Sequence, residues 1–330
     1  MKVVGLQTFI WSNNLKSLYL LVMFPVLVCV IGLIITFAIN IASDEGPTVK
    51  YKYTSGRVVE VANPSYKGPF AKTIDSIPTV APLFFTGVGV WFLIAWTFNK
   101  QIVLGLTHSK PLTRNENPRV YNIVENLCIS RGLPTPKIYV IEDESLNAFA
   151  SGLSPKSSII GFTRGILTKL DDQELEAVAA HEITHILNYD IRLMLISIVF
   201  VGIIQTMSQV FFRVRFSGGS DKKNNGAAVI FILQIVVFIL GFLVSFMIQA
   251  AISRKREFLA DAGSVELVKS SNPMISALSK IAGDPNVEAV TNASVAQMFI
   301  YSPMHASRIS GMFASHPSVE DRIKALRTIG

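Results

Sequence analysis

The chain has 330 residues, half of them hydrophobic and only 16% charged, with a formal net charge of +7 and a mean hydropathy of +0.44. That balance excludes an ordinary soluble domain, and no basic cluster is interleaved with aromatic residues, which excludes nucleic acid as a partner. The excess positive charge fits anionic lipid headgroups, while two isolated cysteines, Cys29 and Cys128, argue against a disulfide framework, a thiolate metal site or a cysteine nucleophile.

The apolar residues concentrate in four runs, at about 18–41, 79–98, 193–212 and 226–252. Each reaches the ~20 residues that a helix needs to cross a bilayer core. The first is too long for the apolar part of a cleavable signal and no A-x-A site follows it, so it reads as an anchor that stays. The third holds Gln205 and Ser208 and the fourth holds Gln234 and Gln249. Two spans plus a membrane-dipping hairpin is therefore the alternative to four spans. Lys and Arg divide almost evenly between the two sets of loops, so the charge rule does not name the side.

Between the first two runs, about 42–78 reads as a Gly- and Pro-punctuated loop, with a short strand at 49–54. From Lys100 the chain turns polar. The pattern of Val120, Ile123, Val124, Leu127 and Cys128 predicts a helix over 117–130, closed by Gly132 and Pro134. Strands follow at 137–141 and 158–163. A helix opens near Asp172, with Asp171 as N-cap and Glu174 in capping-box spacing. No Pro or Gly interrupts it before Ile191. The stretch 213–225 is Gly-, Ser-, Lys- and Asn-rich and reads as a flexible loop. Helices are predicted over about 256–270 and 273–281, 284–311 is ambiguous, and a last helix opens at Pro317.

Inside the helix that opens near Asp172 stands His181-Glu182-Ile183-Thr184-His185. Residues four apart share one helical face, so His181 and His185 can grip one metal ion together. Glu182 is then placed to act as general base toward the attacking water, the arrangement of a zinc-dependent hydrolase. Only five histidines occur in the chain, which makes a chance H-E-x-x-H rare. Catalytic zinc takes three protein ligands. From the residues alone the third is His305, His316 or a carboxylate.

Downstream, Glu257-Phe258-Leu259-Ala260-Asp261 follows Ser253-Arg254-Lys255-Arg256. Together with the first motif, this Glu-x-x-Ala-Asp pattern resembles the HtpX-type membrane zinc peptidases of the gluzincin group. The resemblance runs from about Asn115 to the C-terminus and includes Asn147-Ala148-Phe149-Ala150, Asn188, Asp190 and the segment from Ser315-His316-Pro317 to Arg322. It implies Glu257 as third ligand to one zinc ion per chain, with Asp261 orienting a zinc histidine. It implies His316 and Arg322 as groups that stabilise the oxyanion, and Asn147 and Ala148 as an edge strand that aligns substrate by backbone pairing.

The expected fold class is α+β, mostly helical: an integral membrane protein with about four transmembrane helices and a zincin-like catalytic domain. Its expected parts are a membrane hairpin over 1–104, a first catalytic part over 105–192, a second hairpin over 193–252 and a second catalytic part over 253–330. If the helix runs on without a break, His185 lies about 12 Å before the third run, and Glu257 lies about 7.5 Å after the fourth, which sets the site near the bilayer surface. The resemblance implies an endopeptidase acting on membrane or misfolded polypeptides in quality control, at the cytoplasmic face of an inner (plasma) membrane. Competing readings are a membrane scaffold with structural zinc, a transporter with a soluble domain, and a relative of the CAAX prenyl proteases. The sequence does not give an oligomeric state.

Overall fold

The computed structural model describes residues 6–44, 46–54, 56–196, 234, 238, 241, 254–284, 287, 298–301 and 317–329. The chain divides into two units, Leu21–Ile94 with Ile203–Leu243, and Met1–Leu20 with Ala95–Gly202 and Val244–Gly330. The third and fourth apolar runs lie almost wholly outside the described residues.

The first unit is built on two long helices, α1 (Leu6–Ala42) and α2 (Pro69–Thr97), joined by an antiparallel hairpin of β1 (Thr48–Lys52) and β2 (Val58–Ala62). Within α1 and α2, Ser17–Ile41 and Pro69–Thr97 are long and apolar enough to cross a membrane. α2 starts ten residues before the expected run and includes Pro78 and Pro82. Gly32 lets the helices close up, since a Cβ there would meet the Phe84 ring at 2.4 Å. Asn40 Nδ2 donates to Thr73 Oγ1 at 2.9 Å near the other end of the pair. Leu83 and Leu93 are 71% and 65% exposed, so α2 carries large apolar side chains on its surface.

In the other unit, α3 (Asn99–Thr107) leads into a four-stranded sheet. Its strands are β3 (Lys110–Pro111), β4 (Lys137–Ile141), β5 (Ala148–Ser151) and β6 (Ile159–Thr163), in the order β3-β4-β6-β5. β4 and β6 run parallel, and β5 returns antiparallel to β6. All residues of β5 and β6 are buried, because helices cover the sheet. α4 (Pro118–Ser130) takes Asn117 as N-cap, its side chain accepting from Val120 N. α5 (Arg164–Lys169) starts where Thr163 caps it.

α6 (Asp172–Leu187) begins with the expected capping box: Asp171 Oδ1 accepts from Glu174 N, and Glu174 Oε2 accepts from Asp171 N, both at 2.9 Å. The Glu174 carboxylate also accepts from Ser276 and Lys280 at 2.6 Å, tying α8 (Asn272–Ile281) to the start of α6. α7 (Arg254–Val268) and α9 (Val319–Leu326) complete this layer. α9 opens with Ser318 as its cap, two residues after the expected start.

α6 does not continue to Ile191. It ends at Leu187, and Tyr189 takes a left-handed backbone with φ of 59° before helix resumes at 190–196. The 12 Å rise reckoned from His185 along one helix therefore does not apply.

The loop before β5 is pinned to α5 by Gly165, whose N–H donates to Asp143 O at 3.0 Å. A Cβ at 165 would sit 2.0 Å from Glu144 O, a backbone atom with nowhere to go. Gly165→Ala is expected to destabilise the protein by about 1–3 kcal/mol, seen as a lower midpoint in thermal unfolding.

Candidate metal centre and active site

α6 carries His181, Glu182 and His185, and α7 carries Glu257 and Asp261. Spacings of four put both imidazoles on one face of α6, and both carboxylates on one face of α7. The two helices approach closely because position 263 is glycine: a Cβ there would lie 2.5 Å from the Thr184 side chain. Ser264 Oγ donates to Ala177 O at 2.7 Å across the same contact.

Each imidazole is held from behind by a carboxylate. His181 Nδ1 lies 3.0 Å from Asp261 Oδ1, and His185 Nδ1 lies 3.0 Å from Asp190 Oδ2. An ionised carboxylate only accepts, so each Nδ1 carries the proton and each Nε2 presents a lone pair. These Nε2 atoms stand 3.2 Å apart, and each is 3.7 Å from an oxygen of Glu257. Three donors on a tetrahedron with ~2.1 Å bonds stand roughly 3.4 Å apart. The triangle thus has the size and the chemistry, two nitrogens and one carboxylate, of a catalytic zinc site.

Electrostatics point the same way. His181, Glu182, His185 and Glu257 are 0%, 1%, 5% and 2% exposed. Around them the buried carboxylates Glu182, Asp190, Glu257 and Asp261 face the buried guanidiniums of Arg256 and Arg322. With neutral imidazoles the formal charge is −2, which a divalent cation cancels. Two lone pairs at 3.2 Å also repel unless a proton or a cation lies between them. Burial alone would lower the pKa of His181, but Asp261 and Glu257 outweigh it and push it up to about 9. Burial raises the Glu182 pKa, opposed by the nearby histidines. Burial would also raise Asp261, yet the Arg322 guanidinium holds it below the usual carboxylate range.

Arg322 is fully buried and grips Asp261 with both sides of its fork, Nε to Oδ2 at 2.9 Å and Nη2 to Oδ1 at 2.6 Å. Its Nη1 donates to Ile300 O at 2.8 Å, and its Nη2 lies 3.5 Å from His181 Nδ1. Arg322, expected at the oxyanion, thus lies on the Asp261 side of His181, with Nη1 on the Ile300 carbonyl. His316, its expected companion, lies outside the described residues, as does His305.

Asn147 and Ala148 stand at the start of β5, the sheet edge beside α6. The outer side of that edge is taken by the chain itself. Ala148 O accepts from Ile300 N at 2.9 Å, and Phe149 pairs with Phe299 in an antiparallel bridge. Asn147 Nδ2 donates to Tyr301 O at 2.8 Å, and Tyr301 N donates to Asn147 Oδ1 at 3.3 Å.

Sequence reasoning gave no role to Asp190 or Arg256. Asp190 lies five residues after His185, off the helical period, and reaches back only because Tyr189 turns left-handed. The positive φ has no signature in a tyrosine, so the resemblance marked Asp190 but nothing in the residues gave it a contact with His185. Arg256 Nη1 lies 3.9 Å from Asp190 Oδ1 and is almost fully buried, although its neighbours Arg254 and Lys255 gave it the look of a solvated charge.

Residues 114–330 match peptidase family M48. The chain is 42% identical over 340 residues to a "Protease HtpX homolog" of Bacteroides fragilis, covering 99% of each chain. It is 38% identical over 256 residues to a protein of the same name from Listeria monocytogenes, covering 73% of this chain and 84% of that one. Among solved structures, "Crystal Structure of S. mikatae Ste24p" aligns at 23% identity with a TM-score of 0.48, over 78% of this chain and 60% of that chain.

Removing the hydrogen-bond partner of a ligating imidazole weakens metal binding about 10–100-fold. Asp190→Asn is expected to lower zinc affinity within that range, measured by competition with a chelator of known affinity. An unchanged affinity would show that Asp190 does not hold His185 for the metal.

Proposed function

The chain belongs to peptidase family M48 and is a metalloprotease of the HtpX type, and from that premise we propose that His181, His185 and Glu257 hold one zinc ion while Glu182 is the general base for peptide-bond hydrolysis. The observation that carries this reading is the triangle of two Nε2 atoms and the Glu257 carboxylate, closed to 3.2–3.7 Å inside a buried pocket of net negative charge. Zinc, when bound, supplies a Lewis acid that polarises the scissile carbonyl and makes a water acidic enough to attack near neutral pH.

The remaining chemistry belongs to the chain. Glu182 accepts the proton of the attacking water at its carboxylate, and burial raises its proton affinity toward the value a general base needs. It then returns that proton to the leaving amine. Asp261 and Asp190 hold the two imidazoles in the tautomer that ligates. Arg322 keeps Asp261 ionised and fixed, so in this reading it positions His181 and does not touch the scissile carbonyl. An oxyanion role for His316 rests on the family resemblance alone. The near-complete burial of these groups excludes bulk water, which strengthens every charge interaction among them.

We read the protein as membrane-bound. Two helices of sufficient length and apolarity, with large side chains facing outward, support this. Its substrates in this reading are membrane or misfolded polypeptides, cleaved at the cytoplasmic face of an inner membrane.

Glu182→Gln keeps the metal ligands and removes the base. It is expected to retain one equivalent of zinc while peptide cleavage falls at least about 100-fold, with metal content and turnover measured on the same purified protein. Retained turnover would sink the assignment of Glu182.

A further inference from the structure

Edge strands with free N–H and C=O groups pair with any extended chain that reaches them. On β5 the Ala148 N–H donates to the neighbouring Asn147 Oδ1 at 3.1 Å, which leaves outward the Ala148 carbonyl and the Asn147 side-chain amide, with a donor and an acceptor side by side. All are engaged by Ile300 and Tyr301. Asn147 brackets Tyr301 as a paired strand residue would, giving from Nδ2 and accepting at Oδ1. The apolar contacts match the backbone ones: Phe299 stacks edge-on against Phe149 at 5.3 Å, and Phe299, Ile300 and Met298 are all buried.

This segment also lies against the metal centre. The guanidinium that donates to Ile300 O is the one that chelates Asp261 and approaches His181. Ile300 is therefore separated from a metal-ligand imidazole by the width of one guanidinium. A peptide that is to be cut must present its backbone within that reach, and the strand position that offers it is already filled.

Resting on the protease reading above, we propose that Met298–Tyr301 occupies the substrate strand site, so that a substrate must displace it. The segment also reports what that site takes: an extended chain, antiparallel to β5, with a run of large apolar side chains. One residue of the substrate donates its N–H to Ala148 O, as Ile300 does. The next is bracketed by the Asn147 amide, as Tyr301 is. Such runs are buried in folded soluble proteins and become available in membrane segments or unfolded chains, which agrees with the substrate class above.

The antiparallel bridge between Phe149 and Phe299 sets Ala150 opposite Met298. Opposed residues at a hydrogen-bonded position stand about 5.5 Å apart, a separation that a disulfide spans. Both native cysteines are buried and do not interfere. The experiment is Ala150→Cys with Met298→Cys in the full-length, zinc-loaded chain. The oxidised protein is expected to cleave an unfolded reporter peptide at least tenfold more slowly than the reduced protein, with activity restored by reductant. The reduced protein is expected to show a lower KM for a peptide carrying Met-Phe-Ile-Tyr than for the same peptide with serines there. An oxidised protein that cleaves as fast as the reduced one overturns the proposal and leaves the protease reading standing. An inactive wild-type chain instead overturns the protease reading. If the double variant is inactive in both redox states, hydrogen exchange at Ile300 N–H in the Glu182→Gln chain decides. Loss of protection on saturation with the apolar peptide supports displacement, and unchanged protection overturns it.

Discussion

Two imidazole lone pairs held 3.2 Å apart inside a buried pocket of net negative charge are the constraint on which the rest of this centre depends. Left alone, such a pair repels, and charges removed from water cost several kcal/mol per ion even after relaxation. The protein accepts this because both imidazoles have a fixed carboxylate partner. The carboxylates behind the rings set the tautomers, the guanidiniums offset part of the negative charge, and the shortfall is what a divalent cation supplies. Metal binding and the stability of the helix layer are therefore linked. Without a cation, the neighbouring carboxylates favour a proton on His181, as its pKa of about 9 expresses.

The support is arranged as two parallel relays. One runs Arg322–Asp261–His181 and joins α9, α7 and α6. The other brings Arg256 of α7 toward Asp190, which holds His185 across the break after α6. In each, a buried guanidinium faces a carboxylate that accepts from an imidazole. The consequence is that the last described helix of the chain, far from the motif in sequence, sets the orientation of His181. Close packing of α6 on α7 at Gly263 is what brings the two halves within hydrogen-bond reach.

Much of the centre could be read from the residues because helical periodicity is a local property. His181, Glu182 and His185 follow from spacing on one helix, and the Asp171–Glu174 capping box and the strand at 137–141 are likewise local patterns that appear in the structure. The approach of Glu257 is not local. Alone it looks like one acid in a basic stretch, and only the resemblance to a known family marked it. The resemblance included Asp190, but its contact with His185 escaped because a tyrosine in left-handed conformation, not the helical repeat, directs it. Arg322 was visible, but a guanidinium suits either an oxyanion or a carboxylate, and its bidentate grip on Asp261 has no signature in the sequence.

Residues 298–301 were unreadable for a different reason. An isolated bridge has neither the length nor the alternation that marks a strand, and 284–311 is ambiguous in sequence. Yet this short piece closes the edge beside the motif. The same feature that makes the pocket suited to chemistry, exclusion of water from Glu182 and the ligands, keeps a peptide out of it. A protease of this build must therefore exchange one set of backbone contacts for another when substrate enters. The exchange is least costly where the incoming chain can reproduce the contacts that leave. At β5 those contacts are a carbonyl, an amide side chain and an apolar surface around Phe149, and an unfolded apolar segment reproduces all three.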